Sequence, residues 1–248
     1  MNKTLKRILI GIAIFVGILV LIVVGIGLKM KSELKKMHVI ETKEVVQNVF
    51  AVKNSFVNMF LVKDSDNYIA IDAGADNKVI KEELKKLSID TAKVIAVFLT
   101  HGDGDHTAAL STFSNAKIYL SRDEEQMING KTAKMMFMHN SISRKDYTLV
   151  DDGQKMIIGK TLITCISTPG HTPGSMSYLV NDTYLFVGDA FGLKNGKVDK
   201  PNSFFSKDMP LAVKSFQKIN KLPAAEYIFT AHTGFTNDYK NAVKTELK

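Results

Sequence analysis

Four times along this chain an apolar run ends in a histidine or aspartate within two residues of a glycine, a pattern that gathers several strand ends, each carrying a polar group, at one place in a fold. Val94-Ile95-Ala96-Val97-Phe98-Leu99 reads as a buried strand and leads into Thr100-His101-Gly102-Asp103-Gly104-Asp105-His106. The second instance is His171, set in Ser167-Thr168-Pro169-Gly170-His171-Thr172-Pro173-Gly174-Ser175, where prolines and glycines exclude a helix interior. Asp189 follows Gly188 after Tyr184-Leu185-Phe186-Val187, and His232 closes Tyr227-Ile228-Phe229-Thr230-Ala231 before Thr233-Gly234.

Imidazole and carboxylate side chains at the density of His101, Asp103, Asp105 and His106 are what a divalent cation needs. Any one such residue after a strand is more often a turn or cap residue. Their recurrence decides the matter: four of the six histidines fall in the pattern, leaving only His38 and His139, which read as solvated surface residues.

The N-terminal region stands apart. Ile8 to Leu28 contains no charged or strongly polar residue, and as a helix it spans roughly 31 Å, the thickness of a bilayer core. Lys3, Lys6 and Arg7 with Gly25 and Gly27 would also suit a cleaved secretory signal, but signal cores are shorter, about 7 to 15 residues. The reading adopted is an uncleaved single-pass anchor at the cell membrane. Lys29, Lys31, Lys35 and Lys36 balance the positive charge before the helix, and of the two orientations a catalytic domain outside the cytoplasm is preferred. The expected organisation is a short basic terminus at 1–7, the anchor at 8–28, a juxtamembrane linker at 29–44 and a catalytic domain at 45–248.

Net charge argues against nucleic acid as a partner. Of the +8 total, residues 1–43 hold eight Lys and Arg against Glu33 and Glu41, and the remainder holds 25 basic against 23 acidic groups. The excess is juxtamembrane, where it meets lipid headgroups. Cys165 stands alone, so no internal disulfide is possible, and within Thr161-Leu162-Ile163-Thr164-Cys165-Ile166 it reads as a core residue.

The order of these motifs resembles the metallo-β-lactamase fold superfamily, with its His-x-His-x-Asp-His loop, then Gly-His, Gly-Asp and a final His. Asn58-Met59-Phe60-Leu61-Val62, a turn at 64–67 and Tyr68-Ile69-Ala70-Ile71-Asp72-Ala73-Gly74 are similar to that family's opening hairpin. The resemblance implies an α/β fold, a four-layered αββα sandwich with a metal centre at one edge. It implies that His101, Asp103 and His171 hold one metal, that Asp105, His106 and His232 hold a second, and that Asp189 bridges both. Asp103 departs from the family, which has a histidine there; a carboxylate is a harder ligand, so zinc is expected with manganese or iron as alternatives. Asp105 either orients and relays protons for an attacking water or only ligates.

The string Pro169-Gly170-His171-Thr172-Pro173-Gly174-Ser175 and Val187-Gly188-Asp189-Ala190 is most similar to the glyoxalase II and lactonase branch, although only sixteen residues follow His232 where glyoxalase II has a helical domain. The implied activity is hydrolysis of a small ester, thioester or lactone. Two other activities of the superfamily stay open: a mononuclear iron oxygenase on His101, His171 and Asp189, resembling persulfide dioxygenases, and a phosphodiesterase or nuclease.

Local patterns place helices at Asn77–Leu87, capped by Asp76 or Asn77, at His106–Phe113, and at Asp208–Ile219 with Leu211, Val213 and Phe216 inward, and a strand at Ala116–Leu120. Met127, Met135, Met136, Phe137 and Met138, in the segment Arg122–Tyr147, read as helix packing in preference to a cleft wall, and Phe204 and Phe205 sit in a second irregular segment.

Overall fold

The computed structural model describes residues 2–134, 139–222 and 225–245, in two units, 1–37 and 38–248. The first unit is dominated by one helix, α1 (Lys3–Leu34), which is capped at its start by the Asn2 side chain and is long and apolar enough to cross a membrane. The expected span at 8–28 lies inside it, and its apolar side chains are exposed.

The second unit begins with a meander. Strands β1 (Lys43–Val46), β2 (Val49–Asn54), β3 (Val57–Asp64) and β4 (Asn67–Ile71) pair antiparallel through two-residue turns. Asn48, Ser55 and Ser65 take the left-handed backbone conformation that such tight turns demand. Helix α2 (Asn77–Lys86) follows, its free N–H groups at Lys78 and Val79 accepted by Asp76 at 2.8 and 3.0 Å and its apolar face, Ile80 and Leu84, fully buried. Then β5 (Val94–Phe98) pairs parallel with β4.

The expected helix at His106–Phe113 is broken. Helix α3 (Gly104–Thr107) is a single turn that starts earlier, so Asp105 and His106 lie within it, and a separate 3-10 turn covers Leu110–Thr112. Tertiary contacts take the groups that a longer helix would use: the His106 carbonyl accepts from Ala73 N, and Ala109 N donates to the Gly74 carbonyl.

Strand β6 (Lys117–Ser121), the short α4 (Glu125–Ile128) and β7 (Tyr147–Val150) complete a seven-stranded sheet in the order β1-β2-β3-β4-β5-β6-β7. Met127 is buried, whereas Met135, Met136, Phe137 and Met138 lie outside the described residues. A second sheet contains β8 (Lys155–Ile158), β9 (Thr161–Ser167), β10 (Met176–Val180) and β11 (Tyr184–Phe186). A small hairpin, β12 (Gly192–Lys194) and β13 (Lys197–Asp199), precedes helix α5 (Met209–Ile219). Strands β14 (Tyr227–Phe229) and β15 (Phe235–Thr236) finish the second sheet in the order β15-β14-β11-β10-β9-β8, and α6 (Tyr239–Ala242) comes last.

Three apolar cores separate four layers, as the resemblance implied. Alternation along β3 sends Met59 and Leu61 toward the helices, where they join Ile80, Leu84 and Phe113, and sends Phe60 and Val62 between the sheets with Phe98, Cys165, Tyr178, Phe186 and Phe229. The outer face of the second sheet packs Leu185 and Ile228 on Phe216, Ile219 and Tyr239. Burial pushes the Cys165 thiol up to about 12, in keeping with a core residue. In α5 the buried stripe is Ala212, Ser215, Phe216 and Ile219, not Leu211 and Val213, because the loop before His171 lies against Ala212.

The edge away from the histidine loops is held by the buried Asp64, which ends β3 and accepts from Lys160 N and the Thr161 hydroxyl, both at 2.9 Å, at the start of β9. Asp64→Ala leaves both donors unpaired and is expected to lower the unfolding free energy by about 1–3 kcal/mol. Denaturant unfolding measures this, with metal content unchanged.

Candidate metal centre

Five strands, β4, β5, β9, β11 and β14, run so that their C-terminal ends meet at one edge. From those ends come Asp72; His101 with Asp103, Asp105 and His106; His171; Asp189; and His232. All seven residues singled out by sequence are brought together. His101, Asp103 and His171 form one group able to hold a cation, Asp105, His106 and His232 another, and His101, His106 and Asp189 a third between them.

Each histidine turns the same nitrogen inward, because the other is occupied. Nδ1 faces Thr100 Oγ1 in His101 (3.0 Å), Asp72 Oδ2 in His106 (2.7 Å), Ser206 Oγ in His171 (3.3 Å) and the Phe56 carbonyl in His232 (2.6 Å). Phe56 also stacks on the His232 ring. The Nε2 atoms therefore converge on the carboxylates. Asp189 Oδ1 lies 3.3 Å from His106 Nε2 and 3.1 Å from His232 Nε2, while its Oδ2 lies 3.6 Å from His171 Nε2, so one carboxylate faces both halves of the cluster. Asp105 Oδ2 sits 3.5 and 3.6 Å from His232 and His106 Nε2.

Asp72 governs this orientation. It is 3% exposed with φ of 62°, a left-handed conformation that costs energy in a non-glycine residue and persists only where surroundings enforce it. Its carboxylate accepts from Thr100 N (2.7 Å), from the Thr100 hydroxyl (2.8 Å) and from His106, and that hydroxyl in turn faces His101. Gly188, with φ of 54°, lets the second sheet approach: a side chain there would strike Thr100.

The electrostatics ask for a cation. Burial disfavours charge on Asp189, but His232, His106 and His171 outweigh it and hold the carboxyl well below its usual range. Burial likewise opposes the His106 imidazolium, yet Asp72, Asp105 and Asp189 hold its pKa well above the ordinary value. His171 goes the other way, to about 4, through burial and the charge of Lys134, despite Asp189 and Asp103. At this site three buried polar atoms, His101 Nε2, His106 Nε2 and Asp189 Oδ1, have no hydrogen-bond partner among the described residues. The approach of the last two to each other is close but not aligned as a hydrogen bond. Buried polar atoms without partners are costly, and a metal at their meeting point, in place of any proton on His106, would satisfy all three.

A model of the metallo-beta-lactamase superfamily matches residues 52–232. The chain belongs to the metallo-beta-lactamase superfamily. Among its superfamily relatives is a probable metallo-hydrolase, YqgX, of Bacillus subtilis (strain 168), 26% identical over 181 residues that span 70% of this chain and 82% of that protein. A hydroxyacylglutathione hydrolase of Bartonella tribocorum is 27% identical over 190 residues, 76% of this chain and 66% of that protein. The superfamily fold is also seen in BJP-1, a subclass B3 metallo-beta-lactamase of Bradyrhizobium japonicum, which superposes with a TM-score of 0.62 at 19% identity over 79% of each chain.

Several residues of the centre escape a reading of the sequence. Asp72 lies in the segment similar to the family's opening hairpin, which assigns it no role; Thr100, Ser206, Phe56, Lys134, Asn140 and Glu124 carry no signal of their own. Glu124 is fully buried and accepts from Gly102 N (2.8 Å), the Thr172 hydroxyl (2.7 Å) and Gly174 N (3.0 Å), so it binds the loop of His101 to the loop of His171. Gly174 has no alternative, since a Cβ there would overlap the Glu124 backbone. Glu124→Ala strands three buried donors and is expected to lower the unfolding free energy by about 3 kcal/mol, with Glu124→Gln intermediate. Equilibrium unfolding of the two variants checks the order.

Proposed function

We propose that this protein is a membrane-anchored, metal-dependent hydrolase that cleaves a small ester, thioester or lactone with an activated water. The observation that carries the reading is the convergence of four histidine Nε2 atoms on three carboxylates, with His101 Nε2, His106 Nε2 and Asp189 Oδ1 unpartnered. His101, Asp103 and His171 would hold one divalent cation, Asp105, His106 and His232 a second, and Asp189 would face both. Zinc is the expected metal, with manganese or iron as alternatives. Bound there, two such cations would supply Lewis acidity, lowering the pKa of a water to about 7 and polarising a substrate carbonyl.

The chain's own part is positional. Thr100, Asp72, Ser206 and the Phe56 carbonyl fix the four rings, so the donor set is organised before substrate arrives. The Asp105 side chain, 23% exposed, is the most solvent-accessible of the three carboxylates that face the histidines and is placed to take up the water's proton and pass it to the leaving group. Two of the relatives, named as a probable metallo-hydrolase and a hydroxyacylglutathione hydrolase, support the reaction class. Helix α1 supports anchoring through residues 8–28 in the bilayer; the hydrolase domain is proposed to lie outside the cytoplasm.

The detergent-solubilised full chain, assayed on ester, thioester, lactone and phosphodiester substrates, tests the reading. Turnover of carboxyl substrates is expected, lost on chelation and restored by zinc. His106→Ala should lose one metal and at least about 100-fold in kcat/KM, while Asp103→His keeps both metals and changes metal preference. One redox-active iron per chain with oxygen consumption would replace this reading with an oxygenase, and cleavage of bis-p-nitrophenyl phosphate alone would replace it with a phosphodiesterase. Anchoring predicts that the chain stays in membranes through alkaline extraction and that deletion of residues 2–28 releases it.

A further inference from the structure

Asp103, the position at which this chain sets a carboxylate in place of the superfamily's imidazole, has a cation of its own. Lys134 Nζ lies 2.6 Å from Asp103 Oδ2 and 3.2 Å from His171 Nε2. That same Oδ2 is the oxygen turned toward His171 Nε2 (3.1 Å) and His101 Nε2 (3.5 Å). The other oxygen, Oδ1, accepts from Asn140 Nδ2 at 2.6 Å. One oxygen is thus held by an amide, and the one that faces the imidazoles already carries an ammonium.

Lys134 is built into this place. Its side chain is only 12% exposed. Lys207 Nζ donates to the carbonyls of Ala133 (2.6 Å) and Lys134 (3.4 Å), while the Lys207 N–H is shared between the carbonyls of Gly170 (3.1 Å) and His171 (3.2 Å). A single residue therefore ties the backbone beneath the ammonium to the loop of His171. On the other side, Thr132 N donates to the Gln126 carbonyl at 2.9 Å.

Charge explains the pairing. Exchanging a neutral imidazole for a carboxylate adds one negative charge in a largely buried place, and a lysine beside it cancels that charge, so Asp103 with Lys134 carries the net charge of the histidine it replaces. Among the described residues no lysine or arginine is recorded against Asp105, His106, His232 or Asp189.

We propose that Lys134 is the charge partner of Asp103 and competes with a metal cation for Asp103 Oδ2 and the lone pair of His171 Nε2. The two positions then load in order: Asp105, His106 and His232 fill first, and His101, Asp103 and His171 fill second and more weakly, at the expense of the lysine contact. This rests on the metal-dependent reading above and adds to it which position is strong, which is weak and why.

The test is metal binding without turnover. The full chain in detergent is stripped with a chelator and titrated with zinc by calorimetry, with metal per chain measured after desalting. Wild type is expected to show two steps. Lys134→Met, similar in length and uncharged, should tighten the weaker step about 10-fold or more and leave the stronger one unchanged, and Lys134→Gln should do the same. In an Asp103→His background the same lysine changes should alter the weaker step by less than about 3-fold, since the Asp103 ion pair is absent there and only the longer approach to His171 remains. Unchanged steps in Lys134→Met and Lys134→Gln, or equal tightening of both, would overturn the competition while leaving metal dependence intact. A wild-type chain that takes up no divalent metal would overturn the functional reading and this inference together.

Discussion

The buried Asp72 carboxylate is the constraint from which the centre is built. It ends the strand β4 in a left-handed residue and spends that strain on three contacts, to Thr100 N, to the Thr100 hydroxyl and to His106. Through the hydroxyl it also sets His101. Two of the four imidazoles are thus aimed by one side chain that lies beneath the cluster and faces none of the bare Nε2 atoms. Thr100 is in turn the residue against which Gly188 closes, so the position of Asp189 depends on the same contact.

The two sheets contribute unequally. The first supplies the dense loop after β5, where spacing alone puts four ligand-type residues within reach of each other. The second supplies His171, Asp189 and His232 singly, and each needs something from elsewhere to hold it: Ser206 and the Glu124 contacts for the loop of His171, Gly188 for Asp189, Phe56 for His232. Glu124 matters because it is a buried carboxylate outside the ligand set that joins a ligand loop of each sheet directly.

Much of this could be read from the sequence, for local reasons. Strand β5, the turn at 64–67, the Asp76 cap and the proline-led start of α5 follow from periodicity and capping, and the superfamily resemblance supplied the layer order and the gathering of seven side chains. What could not be read is tertiary. The helix after Asp103 breaks because Ala73 and Gly74 take its hydrogen bonds, and the buried stripe of α5 shifts to Ala212 because the loop before His171 lies there. Lys134 and Asn140 come from an irregular segment whose composition pointed to methionine packing, and nothing in their spacing from Asp103, 31 and 37 positions away, marks them as its partners. Met135, Met136, Phe137 and Met138, the rest of that expectation, lie outside the described residues.

The staple at Asp64 makes the sandwich mechanically lopsided. At that edge the sheets are joined by a carboxylate whose partners are all protein atoms, whereas at the opposite edge the Glu124 contacts stand beside polar atoms that have no partner among the described residues. Before a cation binds, the ligand edge therefore carries an unmet cost that the Asp64 edge does not, even though Glu124 ties its loops together. Amide exchange would be graded along each strand rather than between strands, and a bound cation would slow it most at the end where the loops meet.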